Sequence, residues 1–269
     1  ALVALGFGVV HNTMGIVNFT QVDFVSLGGM ILYSALATAG LPMAPALLLA
    51  VAGVTLVAIL VEVAGVRPSR SESHLVLIFL TIGLSIILRG AMKIIWGKTR
   101  MAVPSLSGEA PVHLAGAAIL PQTLWILGLT SAAIIGLVLF FRKTSMGLAM
   151  RGVAANPEAA AVVGLKVWRV KAASFALAGA LGGLAGCLVT PITTLSYDVG
   201  VLLGLKGFAA AILGGFGSFP GAILGGLTLG LLESLGAAYL SSAYKDVIAF
   251  IVLLLVLFIR PRGLLGGTG

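Results

Sequence analysis

Long apolar stretches separated by short polar segments run through the whole chain. A helix that crosses the hydrocarbon core of a bilayer needs about 20 apolar residues. Eight stretches approach or exceed this length, and they lie at 1–17, 22–39, 44–66, 74–96, 120–141, 170–191, 219–240 and 246–260. The pattern predicts an all-α fold: a polytopic transmembrane helical bundle of about eight spans that forms a single transmembrane domain over 1–269.

A ninth apolar stretch, 201–215, is shorter and is interrupted by glycines. We expect either a short span or a re-entrant segment with a broken helix, because irregular backbone at membrane depth is tolerated only where protein buries it. Glycines four residues apart are frequent in this half of the chain, and this spacing favours close packing of helices within the chain. The pairs are Gly179/Gly183, Gly182/Gly186, Gly217/Gly221, Gly221/Gly225 and Gly226/Gly230.

The composition supports the membrane interpretation. Hydrophobic residues make up 59% of the 269 residues and charged residues only 9%, whereas soluble domains carry roughly 25% charged residues. These values, with a mean hydropathy of +1.18, exclude a soluble globular protein, a disordered chain and a nucleic-acid-binding protein. The lone cysteine, Cys187, excludes an internal disulfide, and its position in a run of small residues favours a packing role.

Basic residues predict the orientation of the spans. Most of the 16 lie in three groups, and the positive-inside rule places these groups and the C-terminus in the cytoplasm. Lys93, Lys98 and Arg100 then lie on the outer side, against the rule. The apolar pattern has already begun at Ala1, so we expect residues before it, and the side of the N-terminus stays open. The three groups are Arg67 and Arg70; Arg142, Lys143, Arg151, Lys166, Arg169 and Lys171; and Arg260 and Arg262.

Polar and ionisable residues within the predicted spans are candidates for function. Such residues are costly in a membrane and usually face the bundle interior or a cavity. Glu62 is near a predicted cytoplasmic helix end and is expected either to extend its carboxylate to the membrane interface or to pair with Arg67. For Asp23, Lys206 and Glu233, a buried structural ion pair and direct contact with a transported solute are both open interpretations. The residues predicted to line or support a translocation pathway are Asn18, Gln21, Asp23, Tyr197, Lys206 and Phe208.

No catalytic or cofactor motif accompanies these residues. Gly97-Lys98-Thr99 lacks the glycine that a phosphate-binding loop requires five positions earlier. His11, His74 and His113 are not at the spacing of metal ligands, and the 8 acidic residues are scattered singly. The chain is therefore predicted not to be an enzyme and to bind no cofactor or metal. Any ATP and Mg²⁺ would be bound by other chains.

The segment 142–169 carries the signals of a short capped helix. Asn156 is a candidate N-cap, and Pro157 and Glu158 suit the first helical turn that follows it. Gly164 is positioned to end the helix in a left-handed conformation. A capped, alanine-rich helix on the cytoplasmic face favours docking of a soluble partner over a solvated connection.

Motifs in this segment and along the chain resemble those of a known family. Glu158-Ala159-Ala160, with Gly164 six positions after the glutamate, resembles the EAA loop of ABC-transporter permeases, without the Leu-Pro usually found downstream. From end to end, the chain resembles the branched-chain amino acid permease subunits of bacterial ABC importers. The motifs are Met14-Gly15-Ile16-Val17-Asn18-Phe19, Val66-Arg67-Pro68-Ser69-Arg70, Ser145-Met146-Gly147 with Arg151, Lys206-Gly207-Phe208, Leu213-Gly214-Gly215-Phe216-Gly217-Ser218, Gly221-Ala222-Ile223-Leu224-Gly225-Gly226, Tyr244-Lys245-Asp246 and Arg260-Pro261-Arg262-Gly263-Leu264.

The resemblance implies a subunit of an importer in the bacterial inner membrane. Its expected partners are membrane lipid, a second permease subunit, two cytoplasmic ATP-binding subunits that carry ATP and Mg²⁺, and a periplasmic substrate-binding protein. Segment 142–169, here called the coupling loop, would engage the ATP-binding subunits. The coupling residues implied by the resemblance are Arg151, Glu158, Ala159, Ala160 and Gly164.

One departure from the family pattern leaves the substrate open. Thr20-Gln21-Val22-Asp23 stands where the family usually has His-Gly-Glu. Branched-chain or related amino acids are the expected substrates. A permease of the same family for urea, amides or another small solute is an alternative, and so is a self-contained secondary transporter or channel, which would need no ATP-binding partner.

Overall fold

The computed structural model describes residues 1–69, 73–108, 110–114, 117–239, 245–260 and 263–265. Nearly all of the regular structure in these ranges is helical, as the apolar pattern predicts. Four residues that carried charge or motif arguments lie outside the described residues. They are Arg70, Tyr244, Pro261 and Arg262.

Eleven α-helices and one small β-hairpin occupy the described residues. A π-helical segment, Val61–Val66, continues the helix that begins at Met43, and a 3₁₀ turn, Thr190–Ile192, follows the helix that ends at Val189. The hairpin pairs Val112–Leu114 with Ala117–Ile119 in antiparallel register, and the apolar pattern did not predict it. The elements are α1 (Leu2–Met14), α2 (Gln21–Ala37), α3 (Met43–Leu60), α4 (His74–Trp96), β1 (Val112–Leu114), β2 (Ala117–Ile119), α5 (Pro121–Lys143), α6 (Ser145–Ala155), α7 (Pro157–Val162), α8 (Val167–Val189), α9 (Val199–Gly214), α10 (Phe219–Tyr239) and α11 (Lys245–Ile259).

Each of the eight predicted spans coincides with a helix, but the count of about eight membrane crossings is not confirmed. Among the described residues, five helical segments are long and apolar enough to cross a membrane: Met43–Val66, His74–Trp96, Pro121–Lys143, Val167–Ile192 and Phe219–Tyr239. The apolar helices α1, α2 and α9 are shorter. At 1.5 Å per residue, the 16 residues of α9 extend about 24 Å, less than the hydrocarbon thickness of about 30 Å.

Of the two expectations for 201–215, the re-entrant segment with a broken helix is wrong, because α9 is continuous from Val199 to Gly214. The short span stays a prediction, since α9 is a shorter apolar helix. Its glycines permit close contact instead of breaking the helix. A Cβ atom added at Gly204 would collide with the side chain of Val22, and one added at Gly207 would lie 2.5 Å from Val3 Cγ1. These two glycines thus let α9 lie directly against α2 and α1.

The centre of the bundle is α8, which packs on α1, α2 and α3. The glycines of α8 allow backbones to meet: an added Cβ at Gly186 would collide with the carbonyl oxygen of Val25, and one at Gly28 with that of Gly183. Cys187 is fully buried here, and its S–H donates to the carbonyl oxygen of Gly28 at 3.4 Å, in agreement with the predicted packing role.

Substituting Gly186 tests this close packing. Gly186→Leu places a side chain against the Val25 carbonyl, so we expect destabilisation of at least the roughly 1–3 kcal/mol that overpacking costs. The measurement is thermal unfolding of the purified protein in detergent. Gly230→Leu is the matched control, since nothing lies within 4 Å of a Cβ added there. Equal unfolding temperatures for the two variants would contradict the described contact between α2 and α8.

Candidate functional site

The first candidate region is the buried turn between α1 and α2. Gly15 ends α1 with φ at 70°, a conformation that favours glycine. In the turn, the Asn18 Oδ1 atom accepts hydrogen bonds from the backbone N–H of Thr20 at 3.1 Å and from its hydroxyl at 2.6 Å. Asn18, Thr20 and Gln21 are all fully buried. The part of the turn that carries these polar side chains is therefore enclosed by protein, as membrane depth requires, whereas Gly15 at its beginning is exposed.

Neighbouring helices hold this turn in place. The backbone N–H of Phe19 donates to Thr81 Oγ1 of α4 at 3.2 Å, and Gln21 Nε2 donates to the Ala178 carbonyl of α8 at 3.1 Å. Two polar atoms of the turn, Asn18 Nδ2 and Gln21 Oε1, have no hydrogen-bond partner among the described residues. Buried polar atoms without partners are rare and costly, which makes the turn a candidate site for contact with a polar solute.

Next to the turn, Asp23 forms a buried ion pair with Arg89. Arg89 Nε lies 3.0 Å from Asp23 Oδ1, and Ser85 donates a hydrogen bond to the same carboxylate. Ser85 also accepts from the Arg89 guanidinium at 3.0 Å. Asp23 is almost fully buried, while the Arg89 side chain retains 29% exposure. The sequence pattern did not single out Arg89, although Thr81, Ser85 and Arg89 repeat every four residues on one face of α4.

A second ion pair joins α9 to α10. Lys206 Nζ lies 3.1 Å from Glu233 Oε1, and both side chains are largely buried. The pair lines a cavity of about 460 Å³ whose other polar side chains are Thr130 and Ser131, with apolar residues of α1, α5, α8, α9 and α10 around them. The cavity is thus apolar apart from two hydroxyl groups and one pair of opposite charges that neutralise each other.

The predicted pathway residues therefore fall into three places. Asn18, Gln21 and Asp23 lie together at the start of α2. Phe208 joins them through aromatic contact, with its ring centroid 5.9 Å from that of Phe19. Lys206 pairs with α10, and Tyr197 packs in the core near Trp96, with the Lys93 ammonium 6.0 Å from its ring. The predicted Glu62–Arg67 pair is confirmed at 2.9 Å.

The coupling loop contains two helices, α6 and α7, where the sequence predicted one. Thr144 caps α6 by accepting from the Gly147 N–H at 3.0 Å. Asn156 caps α7 by accepting from the Ala159 N–H at 2.9 Å, as predicted. Gly164, with φ at 86°, has the predicted left-handed conformation.

The surface of α7 divides the predicted coupling residues. Glu158 and Ala159 are exposed, whereas Ala160 is buried in the core of this chain and so supports the helix from inside. Beyond them, Val162 and Val163 are 88% and 77% exposed. The face that α7 offers is thus small and apolar, with one carboxylate at its beginning. Arg151 of α6 borders a separate groove.

The described part of the chain has neither a cluster of metal ligands nor a phosphate-binding loop. No three His, Cys, Asp or Glu side chains there are grouped so that they could hold a metal ion. Gly97, with φ at 77°, ends α4, so Gly97-Lys98-Thr99 follows a helix. A phosphate-binding loop precedes one.

The apolar helices, the enclosed polar turn and the ion pairs between helices together define a multi-pass α-helical membrane protein. The family described as branched-chain amino acid transport system / permease component matches residues 1–257, and the chain belongs to this family. The resemblance found in the sequence motifs is thereby confirmed. No solved structure matches the chain.

Relatives match over nearly the full length. The chain is 32% identical to the high-affinity branched-chain amino acid transport system permease protein LivH of Escherichia coli K12, over 99% of this chain and 91% of that protein. It is 33% identical to the corresponding protein BraD of Pseudomonas aeruginosa, with the same coverage. The ribose import permease protein RbsC of Bacillus subtilis is 28% identical over 48% of this chain and 43% of its own length.

The Asp23–Arg89 pair is tested by a double-mutant cycle. Arg89→Met leaves the buried Asp23 carboxylate without its cation, a change that costs about 3–5 kcal/mol in fully buried pairs. We expect Arg89→Met to lower the unfolding temperature more than Asp23→Asn, because the Arg89 side chain can still reach solvent. The double variant should recover part of the loss. If the double variant loses as much stability as the two single variants together, the result would contradict a direct interaction.

Proposed function

We propose that the chain is the translocating permease subunit of an ATP-driven importer of branched-chain or closely related amino acids. The single observation that carries this proposal is the match to the permease family over residues 1–257. The two relatives named for branched-chain amino acid transport are aligned over 99% of the chain. Neither a self-contained channel nor a secondary transporter is favoured by these matches.

The proposed assembly contains a second permease subunit, related or identical to this chain, two cytoplasmic ATP-binding subunits and a periplasmic substrate-binding protein. ATP and Mg²⁺ would be bound by the ATP-binding subunits, since this chain lacks a phosphate-binding loop. The chain would lie in the bacterial inner membrane with the coupling loop and the C-terminus in the cytoplasm. The basic residues of 142–171 support this orientation.

The free energy for transport would come from the partner subunits. A permease changes state only as far as its partners and its solute bind the two states with different affinities. The coupling loop supplies a surface for such a partner, and the turn at Asn18–Gln21 and the Lys206–Glu233 cavity supply polar groups for a solute. The coupling loop, the turn and the cavity each lie against α8 or α9, and these two helices are packed in the same bundle.

Uptake by the complete transporter tests the proposed substrate and the role of the ion pair between α9 and α10. We expect uptake of labelled leucine, isoleucine and valine that excess urea does not inhibit. The double variant Lys206→Met/Glu233→Gln removes both charges without leaving one unpaired, so it should fold. Its uptake should fall at least about ten-fold, since a hydrogen bond to a charged group contributes roughly 1.5–3 kcal/mol.

The control for this variant is Lys98→Met, at an exposed lysine beyond α4, which should transport like the unmodified protein. Protein level and assembly with the ATP-binding subunits are measured in parallel. Normal leucine uptake by the double variant would show that the Lys206–Glu233 pair is purely structural. Absence of amino acid uptake by the intact complex would overturn the proposed substrate class.

The coupling loop is tested at Gly164 and Ala159. Gly164→Val forces a β-branched side chain into a left-handed conformation that costs roughly 1–2 kcal/mol, and Ala159→Trp adds bulk to the exposed face of α7. We expect both variants to insert normally but to bind the ATP-binding subunits more weakly, with loss of substrate-stimulated ATP hydrolysis. Co-purification and hydrolysis in the reconstituted complex are the measurements.

Gly152→Ala is the matched control within the same loop. Its added Cβ would make only an ordinary contact, 3.6 Å from Leu165 Cδ1, so ATPase binding and coupling should be unchanged. Normal co-purification and coupled hydrolysis in both the Gly164 and Ala159 variants would mean that the loop is a solvated connection and that coupling takes another route.

A further inference from the structure

A groove of about 570 Å³ lies between α1, α5, α6 and the start of α10, apart from the pathway residues. Its walls are mostly apolar. Phe141 of α5 and Phe219 of α10 meet within it, with ring centroids 4.9 Å apart. Its uncharged polar lining residues are Asn12 and Thr13 of α1.

The charged residues of the groove are both arginines. Arg142 belongs to the last turn of α5 and Arg151 to α6, and both are exposed. Among the described residues, no acidic side chain lines the groove. Within the described residues, the ion pairs involve other basic side chains, and neither arginine has a carboxylate partner. Two cations without a counter-ion beside an apolar surface favour a ligand that combines a negative charge with hydrocarbon.

The groove runs along α5 from the charged end into the apolar part of the helix. Ile134, Val138 and Arg142 are spaced by one turn each, which extends the apolar wall about 12 Å from Arg142. Most of α5 is exposed apolar surface in this chain, so the groove opens beside a surface suited to lipid. A soluble anion would leave this apolar wall unused.

We propose that the groove binds an anionic phospholipid. The phosphate contacts Arg142 and Arg151, and one acyl chain lies along Ile134, Leu137 and Val138. A lipid in this position touches α5, α6 and α10 at once. It therefore fixes α6, the first helix of the coupling loop, against the membrane-embedded helices. The charges and shape of the groove favour such a lipid whichever solute the protein transports.

Native mass spectrometry of the purified full chain tests this site, with phosphatidylglycerol as the probe and phosphatidylethanolamine as the neutral comparison. The double variant Arg142→Gln/Arg151→Gln should weaken phosphatidylglycerol binding about ten-fold or more, because each basic residue adds to the electrostatic attraction for the anionic headgroup. Val138→Trp, which fills the apolar wall without changing charge, should also weaken it. Binding of phosphatidylethanolamine to the unmodified protein should be at least several-fold weaker than that of phosphatidylglycerol.

Lys143→Gln/Lys166→Gln is the control, since it removes two positive charges from exposed positions of the same loop that do not line the groove. It should bind phosphatidylglycerol within about two-fold of the unmodified protein. Equal loss in the control pair, or unchanged binding in the arginine pair, would overturn the proposal. Displacement of the lipid by inorganic phosphate alone would also overturn it, by showing that the site binds a soluble anion. Unfolding temperatures are compared so that loss of fold is not read as loss of binding.

Discussion

The close approach of α8 to its neighbours is the constraint on which the rest of the structure depends. Lipid tails are as apolar as leucine, so membrane helices associate through packing and hydrogen bonds. The glycine faces of α8 and α2 bring the two backbones into contact at Gly183 and Gly28. At that separation Gln21 can reach the Ala178 carbonyl at 3.1 Å. The buried polar turn before α2 is therefore positioned by α8, a helix more than 150 residues away in sequence.

Hydrogen bonds fix the register of α4, whose apolar side chains are largely exposed. Three contacts along its length join it to α2 and the turn before α2, and they are spaced so that α4 can neither rotate nor slide without breaking them. The buried ion pair at the middle contact adds little net stability, because desolvation offsets much of the attraction, but it penalises every other register. The contacts are Thr81 to Phe19, Arg89 to Asp23 and Trp96 to Ser34.

The features that the sequence predicts correctly are those that depend on residues close together in the chain. Helix positions follow from apolar length, and the Asn156 cap and the Gly164 turn follow from side chains that act on their own backbone. The Asp23 partner is tertiary, since Arg89 lies 66 residues away, and nothing local selects it. The error at α9 has a different cause: glycines that break a helix and glycines that let another helix approach look alike in one sequence. Only the positions of Val22 and Val3 distinguish the two cases.

The coupling loop and the polar turn are connected through α8. On the loop side, α7 packs on α6 and on α8, with Ala160 buried in the core, and α6 packs on α1, α5 and α8. A partner pressing on the exposed end of α7 would therefore push on α8 both directly and through α6. Close-packed interiors transmit such shifts because they cannot absorb them locally. A shift of α8 would carry the Ala178 carbonyl away from Gln21, whose Oε1 already lacks a partner among the described residues. In the proposed transporter, ATP-driven motion at the loop would thus change the hydrogen bonding of the polar turn before α2.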